Sequence, residues 1–363
     1  MPFINLVSLI FFSAIIICWV FTFLIRQLAI KWNVLDYPAD ARKIHQRPMP
    51  LLGGWAIYLT LAVIFAALAY FGQLDNARIN LVLIGFFLAG LWLAIGGFLD
   101  DAFGLRWYWS LLFPLAAIIT MIFFGLNVSV ITNPLGGYIF FDALKLPLWS
   151  VQGQTIFFAP ISAVIVFVWL LTMVYTTKLL DGLDGLASSI SLIASITIFI
   201  VSLFWDQAGS TTSFLSIALA GALIGFLVWN WHPAKIFLGE SGSTLLGFTL
   251  GVLAILTGGK FATALLVMGV PMLDVVWVML RRLFNRQPIF ALADTGHLHF
   301  RLLRLGLKQP QVVIVMSVIA MLFGSTSFFV SSQGKLISLS VLVLLMIIGA
   351  IIIVRAQHAR LNH

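Results

Sequence analysis

Long apolar runs alternate with short polar connections along the whole chain, at residues 5–25, 52–71, 81–99, 107–125, 155–175, 186–205, 211–230, 243–257, 261–280, 311–330 and 336–355. A helix needs about 20 residues to cross roughly 30 Å of hydrocarbon, so the runs predict about eleven (ten to eleven) transmembrane helices. The run at 243–257 is the short, glycine-rich one on which the lower count turns. Pro114 and Pro160 are expected to kink the helices that contain them. One longer connection, 126–154, carries Asn133-Pro134-Leu135-Gly136-Gly137 ahead of Tyr138-Ile139-Phe140-Phe141. Turn residues before an aromatic run predict a small β-hairpin on the outer surface. No internal repeat is evident, and residues 1–363 read as one all-α polytopic membrane domain.

Composition and charge sharpen this picture. The chain is 62% hydrophobic and only 9% charged, the signature of a membrane-embedded protein. No basic region precedes the first run, as a signal peptide would require; Arg26 and Lys31 follow it instead. Cytoplasmic loops retain Lys and Arg, so the N-terminus is expected outside and the C-terminus in the cytoplasm. The cytoplasmic segments are then 26–51, 100–106, 176–185, 231–242, 281–310 and 356–363. With Arg355 counted at the last boundary, only Arg78, Lys145, Lys260 and Lys335 of the twenty Lys and Arg residues fall elsewhere. All six histidines and most of the acids share that side. The charge rule says nothing about acids or histidines, so their placement points to polar chemistry at the inner face. The net charge of +8 suits topology, anionic lipid head groups and nucleotide phosphates alike. The single cysteine, Cys18, excludes a disulfide framework and a cysteine metal site.

Seven of the twelve acids gather in tight clusters at or near this face: Asp100-Asp101, Asp181 with Asp184, Glu240, Asp274 and Asp294. Acids near membrane segments are costly, and those retained pair, bind a metal or face water. Two adjacent carboxylates at a helix C-terminus oppose both the helix dipole and each other. They suit a divalent cation or a base near phosphate better than a structural role. Asp181-Gly182-Leu183-Asp184-Gly185 reads equally as a functional loop or as Asx turns with Asp184 near the next helix N-cap. Gly239-Glu240-Ser241-Gly242-Ser243 offers backbone N–H groups to an anion at a helix start. The basic 281–310 loop holds Arg281, Arg282, Arg286, Arg301, Arg304 and Lys308 around His297 and His299. Arg and His beside carboxylates suit a diphosphate, whereas zinc lacks a second ligand pair. Asp274, inside the ninth run, is expected to pair with a basic neighbour and brace its helix. The whole inventory reads as phosphoryl or diphosphate transfer with a membrane substrate, or as a carrier for a phosphorylated solute.

In this order the segments resemble the polyprenyl-phosphate N-acetylhexosamine-1-phosphate transferase superfamily, glycosyltransferase family 4. The resemblance rests on Arg42-Lys43-x-His45 with Pro50 and Gly53-Gly54, Asp100-Asp101, residues 181–187, and Asn230 through Ser243. It continues through Pro271 to Asp274, Arg281-Arg282 and His297-Leu298-His299. It covers about residues 26–306, leaving 307–363 for the last two helices and a short tail. The resemblance implies a Mg2+-dependent (or Mn2+-dependent) enzyme of the bacterial cytoplasmic membrane, with its active site toward the cytoplasm. A polyprenyl phosphate would attack a UDP-amino sugar, giving a lipid-diphosphate-sugar and UMP at the start of cell-envelope glycan assembly. The His-x-His form is closer to the N-acetylglucosamine branch than to phospho-MurNAc-pentapeptide translocase, which stays as the alternative substrate class. A homodimer is also implied, and nucleic acid is not an expected partner.

The same resemblance implies chemistry at Asp100, Asp101, Glu240 and His297, with metal ligation by Glu240 and Asp100. It implies substrate contacts from Lys43, His45, Lys178, Asp181, Asp184, Asn230, Phe237, Arg281, Arg282 and His299, with Phe237 stacking on uracil. Glu240 stands where the family has Asp. Lys178 replaces the Asn three residues before Asp181, and Phe300 replaces a second histidine. No Lys follows the acidic pair in Arg106-Trp107-Tyr108-Trp109-Ser110, and Lys178 is expected to supply that charge. A catalytically weakened, binding-only homologue is the other reading these departures suggest.

Overall fold

The computed structural model describes residues 3–38, 47–73, 77–133, 136–151, 153–205, 210–258, 261–284, 286 and 296–361. Every apolar run contains a helix there. The long helices are α1 (Phe3–Lys31), α2 (Gly53–Tyr70), α3 (Ala77–Phe103), α4 (Trp107–Phe123), α5 (Pro160–Leu180) and α6 (Leu186–Trp205). They continue with α7 (Thr211–Asn230), α8 (Gly239–Leu256), α9 (Phe261–Phe284), the short α10 (Leu298–Arg304), α11 (Gln309–Phe329) and α12 (Ser332–Leu361). Among the described residues ten helices are long and apolar enough to cross a membrane, and α4 is a shorter apolar helix. The expected count of ten to eleven holds.

The helix whose existence was least apparent, α8, is the centre of the bundle. Nearly every residue from Ser241 to Ile255 is buried. A helix enclosed on all sides needs small residues that let neighbours approach, not a lipid-facing apolar stripe. That is why its sequence reads as short and glycine-rich. Gly54 of α2 and Gly97 of α3 show the requirement directly. A Cβ on either would collide with the α8 backbone at Ser241 and Gly242, so these helices meet main chain to main chain. By contrast, α12 turns a row of large apolar side chains outward, including Ile337, Leu344 and Ile351.

Two expectations need correction. Pro160 does not kink a helix; it opens α5 within the first turn. There its missing N–H costs nothing and its fixed φ suits the helix. Residues 155–158, assigned by hydrophobicity to the fifth span, belong to a strand instead. Among the described residues, the 126–158 segment therefore holds two antiparallel ladders, not one hairpin. β3 (Val130–Thr132) pairs with β4 (Tyr138–Phe140), and β5 (Leu146–Val151) pairs with β6 (Gln154–Phe158). Trp149 anchors the second ladder to α4, donating its indole N–H to Phe123 O at 3.1 Å and stacking on the Phe123 ring.

At the opposite end, β1 (Leu35–Asp36) pairs with β2 (Met49–Pro50), closing the loop between α1 and α2. The 231–238 loop joins this ladder, with Phe237 N–H donating to Pro50 O at 2.8 Å and Gly53 N–H to Phe237 O at 3.0 Å. Arg26 reaches the same loop, donating to Lys235 O at 3.1 Å. The bundle end bearing 26–38, 47–51, 100–106, 176–185 and 231–242 is thus one knitted surface. Asp100, Asp101, Asp181, Asp184 and Glu240 lie at this end.

Candidate active site

A cavity of about 810 Å³ opens at this end, and Asp101, Lys178, Asp181, Asp184, Asn230 and Glu240 line it together. They come from four separate parts of the chain, which the helix ends bring into one wall. α3 supplies Asp101 in its last turn, α5 supplies Lys178 in its own, and α8 opens with Glu240 in its first.

Glu240 is the hub. Its backbone N–H donates to both oxygens of Asp101, at 3.0 and 3.2 Å. Its side-chain Oε1 accepts from Lys178 Nζ at 2.5 Å and from Ser110 Oγ at 3.5 Å. The N–H groups at the start of α8 do meet an anion, as the Gly-Ser pattern suggests, but that anion is Asp101. This placement also offsets the cost of the acidic pair at the C-terminal end of α3. Asp101 faces the positive end of α8's dipole while escaping the negative end of its own helix. Gly239, at φ +71°, makes the fit possible, since a Cβ there would strike Asp101 Oδ2.

Asp181 follows α5 directly, and no hydrogen bond or ion pair engages its carboxylate among the described residues. Desolvation, then the charges of Glu240 and Asp184, push its pKa up to about 7. Asp184 is not a helix N-cap. Gly185 intervenes at positive φ, and Asp184 Oδ2 instead accepts from Ala234 N–H at 3.2 Å and lies 2.8 Å from His232 Nδ1. It ties the 181–186 turn to the 231–238 loop. Asn230 fixes that loop from below, donating to Ile236 O at 3.0 Å and accepting from Ser188 Oγ at 2.9 Å. Phe237, held in the same loop, completes the wall.

The other candidates sit elsewhere. Asp100 neighbours Asp101 but does not line the cavity. Arg281, Arg282, His297 and His299 do not line it either, and Lys43, His45 and Asp294 lie outside the described residues. His297 and Asp274 form a buried pair, with Nδ1 and Oδ2 2.9 Å apart, while Leu298 N–H donates to Asp274 Oδ1 at 2.8 Å. Asp274 therefore braces α9 against α10, as the sequence suggests, and its basic partner is a residue the resemblance gives to catalysis. Asp274→Ala is expected to cost about 1–3 kcal/mol, because it leaves a buried N–H and a buried imidazole unsatisfied. Thermal unfolding in detergent checks this, and an unchanged midpoint would refute the brace. His299 is buried beside it, its ring parallel to that of His297 and lying over Gly182. Burial, then the nearby His297, lowers its pKa to about 3, so the ring is neutral. It reaches the cavity only through Gly182.

Residue patterning missed several groups. Asp36, Arg47 and Gln309 line the cavity from β1, the following loop and the start of α11. Nothing in their local sequence marks them, because only the ladder and bundle bring them in. Ser110 was equally invisible, while His232 had a signal in its place between Asn230 and Pro233.

Carboxylates, a lysine and hydrogen-bonding loops thus surround one cavity at the end of a bundle of long apolar helices. The chain belongs to glycosyl transferase family 4, whose pattern matches residues 83–258. A probable undecaprenyl-phosphate N-acetylglucosaminyl 1-phosphate transferase of Bacillus subtilis is 30% identical, over 94% of this chain and 90% of its own length. A decaprenyl-phosphate N-acetylglucosaminephosphotransferase of Mycolicibacterium smegmatis is also 30% identical, over 91% and 84%. The undecaprenyl-phosphate alpha-N-acetylglucosaminyl 1-phosphate transferase of Escherichia coli K12 is 28% identical, over 88% and 82%. This chain is accordingly an integral membrane protein of that family.

Proposed function

We propose that the protein transfers N-acetylglucosamine 1-phosphate, or a close N-acetylhexosamine analogue, from a UDP-sugar to polyprenyl phosphate, releasing UMP. The carrying observation is the convergence of Asp101, Asp181, Glu240 and Lys178 on one cavity at the end of a membrane bundle. The relatives' names support the sugar and the lipid. The Lys and Arg bias supports a site facing the cytoplasm, where a soluble nucleotide sugar and a lipid phosphate meet.

In the reaction a lipid-phosphate oxygen bonds to the sugar-bearing phosphorus. The bond from that phosphorus to the bridging oxygen breaks, and UMP leaves with the electron pair. The nucleophile is already ionised near pH 7, so positioning and charge neutralisation dominate over proton removal. Lys178 and Arg47 supply fixed positive charge on the cavity wall, Phe237 offers a face for the base, and Asn230 with Asp184 holds the loop that presents it.

Mg2+, or Mn2+ in its place, is the cofactor this reading requires. Among the described residues no three His, Cys, Asp or Glu side chains gather closely enough to hold a metal alone. Mg2+ characteristically uses one or two carboxylates together with waters and substrate phosphates. One or two of the carboxylates Asp101, Asp181 and Glu240, in preference to Asp100, would hold an ion that arrives with a diphosphate. Bound there, the ion would neutralise diphosphate charge.

The test is purified protein with Mg2+, undecaprenyl phosphate and a panel of UDP-sugars, followed by UMP release. UMP formed from UDP-N-acetylglucosamine only when the lipid is present is the expected result. Binding without UMP, lipid or solute movement without UMP, or turnover confined to UDP-MurNAc-pentapeptide would each overturn it.

A further inference from the structure

Lys178 is the cation nearest the centre of the acidic wall, and it is committed to Glu240 at 2.5 Å. Both side chains are largely enclosed, with 17% and 14% of their surface exposed. An ion pair so placed holds firmly, because removing either partner strands the other charge away from water. The two partners differ in freedom. Glu240 stands on the first turn of α8, its N–H fixed by Asp101 and its backbone pressed against Gly54 and Gly97. Lys178 ends α5 on a flexible four-carbon stem that reaches into the cavity. If the pair opens, the lysine moves.

The same Glu240 carboxylate is the one a divalent cation would need, and an ammonium beside it both occupies one of its oxygens and repels the ion. A diphosphate changes the balance, since it offers the ammonium a stronger anionic partner within the same cavity. We propose that Lys178 guards Glu240: it holds the carboxylate in the free protein, moves to the diphosphate when a nucleotide sugar enters, and so lets a divalent cation bind tightly only with that diphosphate. This rests on the transferase reading for the identity of the diphosphate. By thermodynamic reciprocity, the diphosphate strengthens metal binding by the same factor as the metal strengthens diphosphate binding.

The test uses full-length protein in detergent and Mn2+ as probe, with free Mn2+ measured by electron paramagnetic resonance, first alone and then with UDP. Removing an ammonium at ion-pair distance is expected to tighten Mn2+ binding without nucleotide by about tenfold or more. Lys178→Met should show this gain, and Lys178→Asn should repeat it should the first variant fold poorly. In both, the extra tightening by UDP should shrink by the same factor. Adding Glu240→Gln to Lys178→Met should abolish the gain. Unchanged or weaker Mn2+ binding in both single variants overturns the guard, as does a gain that survives Glu240→Gln. UMP release by the wild type with unchanged Mn2+ affinity in the variants sinks the guard alone. Absence of UMP release with every UDP-sugar sinks the transferase reading, and with it the diphosphate half of the proposal.

Discussion

Glu240→Ala is expected to lower UMP release at least about 100-fold, the scale of losing one electrostatic contributor to a charged transition state. The side chain is a hub of the cavity's polar contacts, meeting Lys178 and Ser110 directly. Alanine leaves the backbone N–H on Asp101 untouched, so α8 keeps its cap and its packing on Gly54 and Gly97. The stranded Lys178 can turn into the open cavity on its flexible stem, so the fold should survive, which separates a chemical defect from a structural one. The loss should fall mainly on kcat, because the loop carrying Phe237 and Asn230 is built independently of this carboxylate. Glu240→Asp should retain much more activity, since it keeps the charge and withdraws it by one methylene. Near-wild-type turnover in folded Glu240→Ala protein would remove Glu240 from the chemistry.

Much of this was legible before any coordinates, for identifiable reasons. Spanning helices announce themselves because lipid demands long uninterrupted apolar runs with every backbone group satisfied internally. The same logic failed at 155–158, where the apolar residues Ile156, Phe157 and Phe158 belong to a strand ahead of α5. Hydrophobicity reports burial or lipid contact and not period, so over a few residues a strand and a helix end look alike. The faintest run, α8, was faint because it is the most enclosed, and its glycines and serines serve backbone contact.

The acids were legible as a set but not in their separate tasks. Sequence shows that Asp101, Asp181, Asp184, Glu240 and Asp274 are conspicuous; only packing shows where each one points. Asp184 and Asp274 do related work in two places, each accepting from a backbone N–H of another segment and pairing with a histidine there. Asp181 keeps its carboxyl turned to the cavity. Lys178 was visible as an anomaly, and its expected role was replacing a charge lost after the acidic pair. Its contact with Glu240 links two departures from the family pattern that lie far apart in sequence. A longer carboxylate and a lysine meet where the family has aspartate and asparagine, and neither change is interpretable alone.

Asp101→Asn provides the sharpest separation of charge from structure. The carboxylate performs two functions at once, capping α8 through the Glu240 N–H and contributing negative charge to the cavity wall. Asparagine retains one carbonyl oxygen that can accept the same N–H, so the cap can persist when the amide turns that oxygen toward Glu240. The formal charge does not persist. UMP release is expected to fall at least about 100-fold, comparable to loss of one electrostatic contributor, while the unfolding midpoint stays near that of the wild type. Asp101→Ala should lose the same turnover and also stability, by about 0.5–2 kcal/mol, the typical cost of deleting a helix cap. If Asp101→Asn instead kept full turnover and only the alanine variant were impaired, Asp101 would be a cap and nothing more. The negative charge on the cavity wall would then rest on Glu240 and Asp181, and the acidic pair would owe its place at the end of α3 to the start of α8.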